Sequence, residues 1–143
     1  MGSKEANKWR GTAFIPYRRT GDVRFFLQKR DMAAEVDPGA FGMFGGRLEE
    51  GERSRECVLR EITEELSYTP KEMRYFSKYE TATGMCDVFV ESVDDEFERR
   101  IRVAEGDYGK FLSGKEVRER SDVSLLTKVI VAELEQSVRL LRE

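Results

Sequence analysis

The chain contains no histidine. Histidine triads, histidine general bases and zinc sites that need imidazole are therefore excluded, and acid–base work falls to Asp, Glu, Lys, Tyr or water. Cysteine is scarce. Cys57 and Cys86 have no CxxC spacing, and one falls in an expected helix, the other in an expected strand. They read as small buried hydrophobes in a reducing compartment, which makes the expected location cytoplasmic. No apolar run reaches the length of a membrane span or a signal-peptide core. A surplus of positive charge is also missing: the net charge is −3, so no broad field draws in nucleic acid. Internal repeats and low-complexity linkers are absent.

What remains is a strongly charged globular chain. Its 143 residues, 39% apolar and 37% charged, suit one domain with a real core. That domain is expected over residues 8–143, after a polar stretch, 1–7, that reads as a disordered or tag-derived N-terminus. Within it, Glu61, Glu64 and Glu65 stand at i, i+3 and i+4 and so share one face of a helix. Val58, Leu59, Ile62 and Leu66 supply the neighbouring apolar face. Clustered carboxylates repel one another, by a few tenths of a kcal/mol per exposed pair. A hard divalent cation, which takes oxygen ligands, would turn that cost to use. The alternative is a solvated acidic face.

The remaining elements follow from pattern. Residues 9–17 and 23–29 predict two strands paired as a hairpin around the polar turn at 18–22. Residues 31–41 form a loop with the turn signal Asp37-Pro38-Gly39, and a short strand over 41–44 runs into Gly45-Gly46. The Glu-rich helix is expected from Ser54, as N-cap, to Leu66. Strands are expected over 73–83, 86–92 and 99–104, with an acidic connector at 93–98 and a short helix at 114–120. The last helix, 121–141, carries an apolar stripe of Leu126, Ile130, Leu134, Val138 and Leu141. This order implies α/β architecture, a mixed β-sheet packed between helices. Trp9, Phe14, Phe25, Phe41 and Tyr108 could stack on a base, but each is more often a core or packing aromatic.

The stretch 46–68 resembles the Nudix box, G-x5-E-x7-R-E-U-x-E-E-x-G-U with U a bulky apolar residue. Gly46 is followed at the required spacing by Glu52 and then by Arg60-Glu61-Ile62-Thr63-Glu64-Glu65-Leu66-Ser67-Tyr68. Every charged position is filled. Ser67 stands where the family has glycine, which puts the helix cap rather than the chemistry in question. The resemblance is tight over the box and looser over nearly the whole chain.

The resemblance implies a Nudix-type αβα sandwich. It also implies a metal-dependent, MutT-like pyrophosphohydrolase that uses Mg2+ or Mn2+. Water would attack phosphorus in a nucleoside diphosphate linked to some group X, a nucleoside triphosphate being the first expectation. A nucleotide monophosphate and a second phosphorylated product would be released. By the same resemblance, the Gly46 carbonyl, Glu61, Glu64 and Glu65 would hold the metal. Glu61, Glu64, Glu105 and Arg60 would serve catalysis, with Asp107 as second choice to Glu105. Arg30, or else Lys29, would contact phosphate. Glu52 and Arg60 would brace the ligands from behind; Arg60 also suits ordinary helix pairs with Glu56 and Glu64. The expected partner is a small nucleotide, with no membrane, no nucleic acid and an open possibility of a homodimer. Two other readings stay open: a metabolite-sensing Nudix module without hydrolysis, and an RNA-end or cap pyrophosphohydrolase favoured by local basic patches such as Arg18-Arg19.

Overall fold

A computed structural model describes residues 8–34, 37–104 and 108–141 of the chain. It contains seven strands: β1 (Trp9–Arg18), β2 (Arg24–Lys29), β3 (Phe41–Gly42), β4 (Phe44–Arg47), β5 (Arg74–Thr81), β6 (Gly84–Val93) and β7 (Tyr108–Ser113). The helices are α1 (Ser54–Leu66), α2 (Phe97–Arg100), α3 (Gly114–Glu119) and α4 (Leu125–Leu141). The strands form one mixed sheet in the order β3-β2-β1-β6-β5, with β4 also on β1 and β7 also on β2. β1 and β6 run parallel through all ten residues of β1; the other pairs are antiparallel.

Strand alternation divides the core in two. Ala13, Ile15 and Tyr17 of β1, Phe25 and Leu27 of β2, and Val88 and Val90 of β6 point to one face, where Ile130, Val131, Leu134 and Val138 of α4 cover them. Phe14, Phe26 and Phe89 point to the other, against Val58, Ile62 and Leu66 of α1. The sheet therefore lies between α1 and α4, as the sequence predicts. The apolar stripe of the last helix is buried at Ile130, Leu134 and Val138. No helix of the described residues is long and apolar enough to cross a membrane.

Two segments differ from expectation. Residues 99–104 are not a strand: Phe97–Arg100 form one helical turn, and 101–104 run on without regular structure. Phe97 explains the turn. It is fully buried, its ring edge-on to Phe26, Tyr68 and Phe111. The backbone that follows caps α1 instead of joining the sheet, since Arg102 N–H donates to the Leu66 carbonyl and Ala104 N–H to the Glu65 carbonyl. Conversely, residues 108–113, where the sequence reading names no strand, form β7, which runs antiparallel to β2. Phe111 and Leu112 bury on opposite faces there.

A buried carboxylate ties the end of α1 to the sheet. Glu91 of β6 is 2% exposed. It accepts hydrogen bonds from the Tyr68 hydroxyl at 2.5 Å and from the backbone N–H of Lys71 and Glu72, each at 2.7 Å. Burial, and then the Glu91 carboxylate, push the Tyr68 hydroxyl above its ordinary pKa.

Candidate active site

The site forms where β4 meets α1. Gly45 adopts φ 132°, a conformation that favours glycine, and its N–H donates to Glu65 Oε1 at 2.8 Å. That bond gives a reason for the burial of Glu65, which is 6% exposed. Gly46 lies directly against the Glu61 carboxylate, where a Cβ would collide with it. The Gly46 carbonyl faces the Thr12 hydroxyl and the Cys57 thiol, both at 3.5 Å.

One turn of α1 presents the carboxylates unequally. Glu61 and Glu65, at i and i+4, line the same cleft of about 530 Å³. Glu64 is more exposed and lies 3.5 Å from Arg60. Its exposure matches its place on the helix, one residue before the buried Glu65. Among the described residues no three acidic side chains converge into a ready-made cage. The donor set nonetheless fits a hard cation: every candidate ligand is an oxygen, and Glu61 and Glu65 share one cleft. Glu105 and Asp107 lie outside the described residues.

Arg60 organises the acidic side of the site. Its Nε donates to Glu52 Oε2 at 2.7 Å and its Nη2 to Glu52 Oε1 at 2.9 Å, a two-pronged pair. Nη1 donates to Glu61 Oε1 at 2.9 Å, and Nη2 also reaches the Arg47 carbonyl at 3.2 Å. One guanidinium thus links the box glutamate, the glycine turn and a candidate ligand. The Arg60 bond holds the Glu52 carboxyl at about 2, well below its ordinary 4.5. Bonding to Glu52 in turn raises the Arg60 pKa. The helix pair with Glu64 forms; Glu56 instead accepts from Arg53 N–H at 3.0 Å.

The start of α1 also differs from the sequence reading. Arg53 occupies the N-cap position, and the Ser54 hydroxyl donates to Asp87 Oδ2 on β6 at 2.5 Å. At the other end Ser67 takes the left-handed conformation, φ 49° and ψ 45°, which favours glycine.

The two candidate phosphate contacts lie on opposite faces of the sheet. Lys29 turns toward α4, donating to the Gly39 carbonyl, 3.7 Å from Asp122 and over the Phe41 ring. Arg30 lines the cleft with Glu61 and Glu65, and its buried Nε has no hydrogen-bond partner. Its guanidinium lies over Gly42, where a Cβ would come within 3.3 Å of Nε. Gln28, which the sequence reading passed over, is 6% exposed and lines the same cleft. Two-residue strand spacing from Arg30 is the signal that could have found it.

None of the five aromatics singled out for stacking lines this cleft. Phe14, Phe25 and Phe41 are fully buried. Trp9 packs over Gly84, and Tyr108 lies edge-on to Phe41.

The fold and the box have parallels among known proteins. A family model described as the NUDIX domain matches residues 8–124. A Deinococcus radiodurans protein shares the fold with TM-score 0.75 at 16% identity, over 89% of this chain and 83% of that one. The NUDIX domain of Shewanella oneidensis NrtR, crystallised with ADP-ribose, gives 0.73 at 12% identity, over 93% and 88%. A C. elegans Ap4A hydrolase gives 0.71 at 14% identity, over 90% and 98%. Comparison with curated proteins gave no match.

Proposed function

This chain belongs to the NUDIX family, and on that premise we propose that it hydrolyses a phosphoanhydride in a nucleoside diphosphate linked to a group X. A nucleoside triphosphate is the first substrate to test. The observation that carries the reading is the shared cleft: Glu61 and Glu65 face it from α1, and Arg30 faces it from the end of β2.

In this proposal the Gly46 carbonyl, Glu61, Glu64 and Glu65 hold Mg2+ or Mn2+. When bound, such an ion offsets phosphate charge and makes an adjacent water more acidic. The chain's own groups do the rest. Arg30, which lines the cleft, directs its guanidinium to a phosphate oxygen, a charge-assisted bond. Arg60 keeps Glu61 in place from behind, and the Gly45 N–H does the same for Glu65. Glu64, exposed to solvent, or Glu105 takes the proton of the attacking water. The water oxygen bonds to phosphorus, the bridging P–O bond breaks, and a nucleotide monophosphate leaves with the other phosphorylated product.

A panel of nucleoside triphosphates, dinucleoside polyphosphates, nucleotide sugars and capped RNA, each with Mg2+ or Mn2+, tests the reading by product identification. Turnover of at least one is expected. Glu64→Gln should lower kcat/KM by about 100-fold or more with the melting temperature unchanged. Full activity in that variant would remove Glu64 from the site, and turnover of nothing would favour ligand sensing over hydrolysis.

A further inference from the structure

β5 ends the sheet in the order β3-β2-β1-β6-β5, and among the described residues it pairs with β6 alone. Its other side is an edge, and the sequence along that edge is its own complement. A bulge between Tyr75 and Ser77 marks where the regular half of the strand begins. From there to the turn the chain reads Ser77-Lys78-Tyr79-Glu80-Thr81. Laid against its own reverse, hydroxyl meets hydroxyl, lysine meets glutamate and tyrosine meets itself. The turn fixes which backbone groups face outward. Thr81 and Gly84 close a two-residue turn, so they form a hydrogen-bonded pair. Alternation then directs the backbone groups of Tyr79 and Ser77 toward β6, and those of Lys78 and Glu80 toward the open side.

We infer that this edge pairs with the same edge of a second copy of the chain, antiparallel and about a two-fold axis at Tyr79. Lys78 of each copy then forms a hydrogen-bonded pair with Glu80 of the other. The two Tyr79 residues face each other across the axis, their Cα atoms about 4.5 Å apart. Lys78 and Glu80 are both exposed, on the sheet face opposite Tyr79. Each lysine ammonium therefore lands beside a glutamate carboxylate. A lysine on an edge strand ordinarily repels a second edge. Here the glutamate two residues on makes that lysine complementary to a reversed copy of its own strand. On the other face Phe76, Tyr79 and Leu140 line a groove of about 310 Å³ between β5 and α4, and Leu140 is 66% exposed. The axis at Tyr79 sets the two grooves side by side, which gives the contact an apolar centre as well as charged rows. The cleft with Glu61, Glu65 and Arg30 draws no residue from β5, so the pairing stands apart from the proposed hydrolysis.

Sedimentation equilibrium of the full chain tests the pairing. A ladder this short lies at the small end of specific interfaces, so the wild type should dimerise with a dissociation constant on the order of 10 µM. Lys78→Glu alone leaves only carboxylates along the shared edge, and Glu80→Lys alone leaves only ammonium groups. Each should weaken self-association by about 10-fold or more. Mixed in equal amounts, the two variants should recover the wild-type affinity as a heterodimer, because every carboxylate on the edge then meets an ammonium group. Melting followed by circular dichroism should match wild type for both, since both positions are exposed. Should either fail to fold, Lys78→Pro carries the test. It removes an outward N–H that the β5–β6 ladder does not use, and it should be monomeric. A wild type that stays monomeric at about 100 µM overturns the inference. So does a dimer that ignores the single charge reversals, a mixture that associates no better than its parts, or a dimeric Lys78→Pro.

Discussion

Adjacent glycines in β4 should fail in opposite ways when given a methyl group. At Gly46 the backbone lies outside the left-handed region, and the atoms nearest an added Cβ are those of the Glu61 carboxylate, the far end of a flexible side chain. Swinging that carboxylate aside costs about 0.5–1.5 kcal/mol, and the stiffer unfolded chain returns about 0.4–1 kcal/mol. The melting temperature of Gly46→Ala should therefore stay within about 3 °C of wild type. Activity should not survive as well, because Glu61 leaves both its bond to Arg60 and its place beside the glycine turn. A loss of about 10–100-fold in kcat/KM is expected, the range for disturbing the support of a metal ligand, the role proposed for Glu61. At Gly45 φ is 132°, and a Cβ would overlap the Thr12 carbonyl oxygen and sit 2.8 Å from Ala13 Cα. Both are β1 backbone and cannot give way without breaking the β1–β4 ladder. Strain and overpacking, about 1–3 kcal/mol each, should lower the melting temperature of Gly45→Ala by about 10 °C. Thermal denaturation followed by circular dichroism, with steady-state kinetics on the same samples, separates the two. Wild-type turnover in Gly46→Ala, or a melting loss equal to that of Gly45→Ala, would refute the reasoning.

Ser67→Gly should stabilise the protein by about 0.5–1 kcal/mol, since a left-handed non-glycine residue costs about 1–2 kcal/mol and glycine loses part of that in the unfolded chain; a lower urea midpoint would contradict this. Arg60 holds the Glu52 carboxyl at about 2, and Arg120 holds Asp122 at about 2 from an ordinary 3.8. Both folded-state values are depressed, so the stability these pairs contribute is complete above the unfolded values and is lost as pH falls toward about 2. Glu52→Gln should accordingly flatten the fall in urea midpoint from pH 4.5 downward; an unchanged slope would mean the pair is not formed. Burial pushes the Cys86 thiol up to about 12 and raises Cys57 as well. Both should resist alkylation at pH 8 in the native state and react in denaturant; rapid native labelling would show either to be accessible.

The box helix was legible because its signals are local: charge spacing, an apolar face and a glycine turn in one short run. The two-faced core was legible too, because alternation in β1, β2 and β6 is written into consecutive residues. Parity carried information that the sequence reading left open. Lys29 and Arg30 look interchangeable as letters, yet adjacent positions point to opposite faces, and only Arg30 meets the acidic cleft. The misread segments depend on distant partners. Nothing within residues 99–104 announces that the open carbonyls of Glu65 and Leu66 will claim its backbone, and β7 pairs with a β2 whose Phe26 ring lies over Gly109. Ser54 shows the same limit: a good cap by type, it is drawn instead to Asp87.

β1 has a consequence for how the protein is made. Besides its short ladders with β2 and β4, it pairs along its full length with β6. Trp9 meets Gly84, a closure of about 75 residues that no hairpin can shortcut. A ribosome has thus made the strand at the centre of the sheet long before its main neighbour exists. The glycine turn and the glutamate helix are both synthesised in that interval. The central ladder is completed only when residues 84–93 emerge, so the candidate site that rests on it should be among the last parts of the molecule to become protected from exchange.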